Sequence, residues 1–67
     1  MMTYEQFKST VQKTLLDAGG SLTWTEIRAR ANLPQALPNN QWVLRMEKDI
    51  GLERKQDARR IIHWQLK

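Results

Sequence analysis

The chain has 67 residues, a formal net charge of +4, a pI near 10.0 and no cysteine. That is enough for one domain with one small core, and it excludes a disulfide framework and a zinc finger. The opening MMTYEQFKST has no apolar run, so neither a signal peptide nor a membrane span is expected; the expectation is a cytoplasmic protein, nucleoid-associated if bacterial.

The charge is uneven along the chain. Up to residue 38, Lys8, Lys13, Arg28 and Arg30 stand against Glu5, Asp17 and Glu26. From residue 39 on, Arg45, Lys48, Arg54, Lys55, Arg59, Arg60 and Lys67 stand against Glu47, Asp49, Glu53 and Asp57. Most of the positive excess therefore lies in the second half, a bias toward an anionic partner that a solvated face would also produce.

Taken in order, the first segment is a helix from Thr3 to about Ala18. Thr3 and Gln6 have the spacing of a capping box, and Tyr4, Phe7, Val11, Leu15 and Ala18 recur every three or four residues. Gly19-Gly20 stops it, since glycine enters the left-handed conformation at little cost. Ser21-Leu22 is a short extended segment. Thr23 and Glu26 then form a second capping box, and Trp24, Ile27 and Ala31 give one apolar stripe, so the spacing predicts a helix over 24–31.

Two prolines in NLPQALPNN force the chain to turn between 32 and 38, with Leu33 and Leu37 pinning the loop to the core. Asn39 or Asn40 caps a third helix that Gly51 ends. At ~100° per residue, Trp42, Val43, Met46 and Ile50 share the core arc of that helix, while Gln41, Leu44, Arg45 and Lys48 share the opposite arc. Leu44 is the apolar exception there. It either packs beneath the hairpin or proline loop, or meets an apolar feature such as a thymine methyl.

Beyond Gly51 the period shortens to two. Ile62, Trp64 and Leu66 alternate with Ile61, His63 and Gln65, a strand with one buried face, and 52–56 is its partner. A three-residue turn, Asp57-Ala58-Arg59, sets Leu52 opposite Trp64, Arg54 opposite Ile62 and Gln56 opposite Arg60. On the other face Glu53 then meets His63 and Lys55 meets Ile61. With no glycine at the tip, Asp57 or another residue must take the left-handed conformation.

The order helix, short strand, helix, helix, hairpin, with SLTWTEIRARA followed by NNQWVLRMEKDIGLERK, resembles the winged helix-turn-helix superfamily over nearly the whole chain. The resemblance implies an α+β fold: one small winged helix over 1–67, with three helices, a short strand after the first and a C-terminal β-hairpin wing. It also implies a double-stranded DNA-binding domain, a small transcriptional regulator or DNA-accessory protein. Helix 39–50 would read the major groove and hairpin 52–66 would hold the backbone. Carried onto this chain, Gln41, Arg45 and Lys48 become base- or phosphate-reaching residues. Asn39 and Asn40 sit at a helix N-terminus suited to phosphate, and Lys55, Arg59 and Arg60 fall on the wing. The chemistry agrees, for arginine bonds guanine bidentately, glutamine and asparagine match adenine, and lysine neutralises phosphate. The proline-containing connection is longer than the usual helix-turn-helix turn, and Glu47 and Asp49 put negative charge on the third helix.

An enzyme is not expected. His63 is the only histidine and lacks the convergent partners that catalysis or a metal requires, while Gly19-Gly20-Ser21 lacks the lysine of a phosphate-binding loop. No cofactor, metal, membrane or small-molecule substrate enters this reading. The tryptophans lie on apolar stripes, core positions for Trp42 and Trp64, with Trp24 half exposed. Besides DNA, a second protein or self-association on DNA would extend so small a footprint. The alternative function is a winged-helix protein-interaction module for an acidic partner, anchored by Leu44 and Trp24.

Overall fold

The computed structural model describes residues 2–35 and 38–67. Leu37, expected to pin the proline loop, lies outside them. Three helices pack on one three-stranded antiparallel sheet, an α+β arrangement in the order α1 (Tyr4–Ala18), β1 (Leu22–Thr23), α2 (Trp24–Ala31), α3 (Asn40–Asp49), β2 (Leu52–Gln56) and β3 (Ile62–Leu66). Among the described residues no helix is long and apolar enough to cross a membrane.

The helices begin and end where local chemistry directs. Thr3 and Thr23 each accept from the backbone N–H three residues on, and Gln6 and Glu26 return the bond to the cap N–H, closing both capping boxes. Such a cap contributes about 1 kcal/mol. The Thr23 bonds also hold the Glu26 carboxyl below its ordinary range. Gly19 stops α1 at φ 69. Asn32, a residue that tolerates the left-handed region, stops α2 at φ 53. The α3 cap is Asn39, whose side-chain oxygen accepts from the Trp42 N–H at 3.1 Å.

The core gathers one face of each element: Tyr4, Phe7, Val11 and Leu15 from α1, Leu22 from β1, Ile27 from α2, Val43 and Met46 from α3, and Leu52 and Trp64 from the sheet, with Leu33 added from the loop after α2. Burying each such side chain is worth about 1.5–3 kcal/mol in transfer from water. Trp42 and Ile50 differ from expectation, being half-buried at the rim, because α3 rolls its Trp42 edge onto α1 rather than under the sheet. Trp42 lies 5.3 Å from Phe7 and edge-on to Tyr4 at 6.0 Å, between ring centroids.

The sheet order is β1-β3-β2, with β3 in the middle. Its register corrects the expected one by two residues: Leu52 pairs with Leu66, Arg54 with Trp64 and Gln56 with Ile62, while Leu22 pairs with Trp64 across the other edge. A shift of two preserves the faces, so Leu52 and Trp64 are both buried as expected. The turn explains the shift. Its three residues are Ala58, Arg59 and Arg60, closed by the Asp57 N–H donating to the Ile61 carbonyl and the Arg60 N–H to the Asp57 carbonyl, both at 3.0 Å. Arg60, not Asp57, takes the left-handed position, at φ 65. This is the three-residue hairpin loop that ends on a left-handed residue, moved along by one position because the Asp57 side chain organises it. Its Oδ1 accepts from the Arg59 and Ile61 N–H groups at 2.8 and 3.0 Å.

Two further expectations fall with the register. His63 meets the Asp57 carboxylate at 2.8 Å instead of Glu53, which faces Gln65. Ile62 keeps the parity of the buried face but reaches past the core at the hairpin end and is 44% exposed.

Candidate functional site

α3 contacts the rest of the molecule along two neighbouring arcs. Val43 and Met46 enter the core, and the next arc round, Trp42, Arg45 and Asp49, lies along the start of α1. What remains outward is the arc carrying Gln41, Leu44 and Lys48, all exposed. Leu44 is 59% exposed. Of the two alternatives for it, packing beneath the hairpin or proline loop does not fit that exposure. Asn40 is exposed in the first turn, beside the cap Asn39.

Arg45 is exposed but not unattached. Its guanidinium carbon sits 4.0 Å from the centroid of the Tyr4 ring, a cation–π contact. The Tyr4 hydroxyl donates to Asp49 Oδ2 at 2.6 Å, one helical turn beyond Arg45. Burial first, and then the Asp49 carboxylate, push the Tyr4 phenol up to about 12, with Arg45 opposing. That cation–π contact limits the rotamers of the Arg45 side chain. Arg45 stands on the α1-side margin of the outward arc, and Gln41, Leu44 and Lys48 form its centre.

The hairpin brings a second set of cations. Lys55, Arg59 and Arg60 are exposed, and the Asp57 clamp fixes the turn that carries the latter two. The His63 hydrogen bond, followed by the Ile61 and Arg59 N–H groups, holds the Asp57 carboxyl below its usual range. Arg54 projects on the core side of the sheet. Its guanidinium lies 5.7 Å from the Trp64 ring centroid, and its Nε is buried with no hydrogen-bond partner among the described residues.

Pairing separates these cations from those on α1. Lys8 and Lys13 are tied to Glu5 and Asp17 at 3.0 and 3.1 Å. Among the described residues no ion pair engages Arg45, Lys48, Lys55, Arg59 or Arg60. Glu47 likewise has no ion-pair partner on its margin of α3. Nor do the described residues contain a group of three or more His, Asp or Glu side chains able to hold a metal ion.

Sequence reasoning missed Tyr4 and Asp49 as supports of Arg45. They are 45 residues apart, and no local spacing links them. Asp57 left a signal, since aspartate at the head of a turn commonly accepts from backbone N–H groups. Comparison of the chain with protein-family models, characterised proteins and solved structures finds no match.

Proposed function

We propose that this protein is a winged helix that binds double-stranded DNA as a small regulator or accessory factor. In this reading α3 enters the major groove and the β2–β3 hairpin is the wing that holds the backbone. The observation that carries it is the set of cations without acidic partners, Arg45 and Lys48 on α3 with Lys55, Arg59 and Arg60 on the hairpin. Cations left unneutralised by the protein's own acids are suited to exchange counterions with phosphate. Gln41 and Arg45 have the donor and acceptor patterns to read base edges, Leu44 fits a thymine methyl, and Asn39 and Asn40 border helix N–H groups suited to a phosphate.

The second reading, an interaction module for an acidic protein, is favoured by one observation, the 59% exposure of Leu44 among these cations. Selection of bound sequences from a random duplex pool, followed by affinity against salt, separates the two. For DNA, Arg45→Ala costs about 1–3 kcal/mol on the preferred site and flattens discrimination. The double change Arg59→Ala with Arg60→Ala weakens all sequences alike and lowers the salt slope by up to about two. If neither change alters duplex binding, or no duplex binds near physiological salt, the interaction reading replaces this one.

A further inference from the structure

A groove of about 310 Å³ lies between the hairpin and the first turn of α2, and Trp24, Thr25, Arg54, Arg60, Ile62 and Trp64 are among its lining. The register sets its sheet side. Arg54 pairs with Trp64, and Ile62 shares their face two residues along β3. Trp64, 1% exposed and stacked on Trp24, is the floor. Above it the cations lack acceptors. The Arg54 Nε is buried with no hydrogen-bond partner among the described residues, and no ion pair there engages Arg54 or Arg60. Among the described residues none of those lining the groove is acidic. The acids on the flanking elements are engaged elsewhere: Glu26 with the Thr23 N–H, Glu53 with Gln65, and Asp57 with the turn and His63. Arg60 holds its place at φ 65, where glycine would sit more easily.

We propose that this groove binds a small organic carboxylate, its charge held by Arg54 and Arg60 and its apolar body lying against Ile62 and Trp24. Charge complementarity selects an anion, because two guanidinium groups without acids of their own offer paired N–H donors to a planar carboxylate. Thr25, exposed in the first turn of α2, adds a hydroxyl. A carboxylate on Arg54 also brings an acceptor to a place where the free protein buries a donor without one. The walls select the body. An inorganic anion would meet the arginines and leave Ile62, 44% exposed, in water, whereas a ring or branched chain of carbons covers it. The volume stands at the lower end of the range for small-ligand sites, about 300–1,000 Å³, so the ligand is compact. This site goes beyond the DNA-binding reading and does not depend on it.

The test titrates the isotope-labelled full chain with cyclohexanecarboxylate at fixed ionic strength. Magnetic resonance reads the Arg54 Nε–H and the indole N–H signals of Trp24 and Trp64. Cyclohexanecarboxamide keeps the body without the charge, while acetate and inorganic phosphate keep the charge without the body. The carboxylate is expected to shift the three signals together, with a dissociation constant of about 1 mM or below. Each control should bind about tenfold more weakly or worse. Arg60→Gly removes one cation and relieves the left-handed position, so it should melt no lower than wild type yet bind the carboxylate about tenfold more weakly. Arg54→Met, which keeps an unbranched apolar stem, should weaken binding likewise, with its melting curve as control. No common shift below about 10 mM overturns the site. So does a carboxamide, acetate or phosphate that binds as tightly as the carboxylate, or an Arg60→Gly variant that binds it as wild type does. Each of these results leaves the DNA-binding reading standing, and failure to bind any duplex leaves the ligand site standing.

Discussion

Replacing Tyr4 with phenylalanine isolates one bond of the arrangement that positions Arg45. The change deletes the hydroxyl that donates to Asp49 Oδ2 at 2.6 Å and keeps the ring beneath the guanidinium. Hydrogen bonds to charged groups contribute about 1.5–3 kcal/mol. Asp49 is exposed and regains water when the hydroxyl is lost, which places the expected cost at or just below the bottom of that range, about 1–1.5 kcal/mol. For a domain of this size that lowers the melting temperature by roughly 5–10 °C. Tyr4 is the only tyrosine, so tyrosinate absorbance reports this group alone. The folded protein should titrate near 12 against 10.0 for the free group. Because the folded value is raised, the stabilisation is complete below pH 10 and is lost as pH rises toward 12. Denaturation curves of wild type and Tyr4→Phe should therefore be separated at pH 7 to 9 and converge above pH 11. In the proposed DNA-binding reading, affinity for duplex should be unchanged, since the ring beside Arg45 remains. A folded-state titration near 10, or a variant as stable as wild type at pH 7, would show that Asp49 does not hold the phenol.

Two other outcomes follow from burial and from the turn. Trp64, 1% exposed and stacked on Trp24 with centroids 5.4 Å apart, should cost about 3–5 kcal/mol when changed to alanine. Half-buried Trp42 should cost visibly less by the same denaturant titration, and equal losses would refute the rim placement of α3. Asp57, whose carboxyl is held below its free value of 3.8, contributes stability that is present above about pH 4 and lost as pH falls through the folded value. Asp57→Asn should remove that acid-sensitive part and speed amide exchange at Arg59 and Ile61 near neutral pH; unchanged exchange would mean the carboxylate does not clamp the turn.

Much of the fold could be read from short-range chemistry. Thr3 with Gln6 and Thr23 with Glu26 stand three residues apart, and the groups that satisfy each helix start lie within that spacing. The parity of β2 and β3 was readable for a similar reason, because Leu52 and Trp64 must share the buried face whichever register is used. Register itself was not, because two slips of the same parity bury the same residues. The choice between them was made by Asp57 and by Arg60 entering a region that sequence rules reserve for glycine, asparagine or aspartate. The wheel placed Gln41, Leu44 and Lys48 on the outward arc where they lie, but grouped Arg45 with them. What the wheel omitted is that α1 reaches one margin of it. No periodicity announces that Tyr4 contacts Arg45 or that Leu44 stays 59% exposed, since both depend on how separate elements meet.

The placement of β3 has a consequence for how the chain acquires its structure. The last strand in sequence is the middle strand in space, and Leu22 finds its partner only in Trp64. On the ribosome, the first two helices can form and dissolve while the sheet that would retain them has no central member. The α1–α2 pair is too short to persist by local propensity alone. Closure must therefore wait for residues 62–66 to emerge and then involve both edges of the sheet together. Such a chain should fold in one late, cooperative step, with long-range pairing as its slow event.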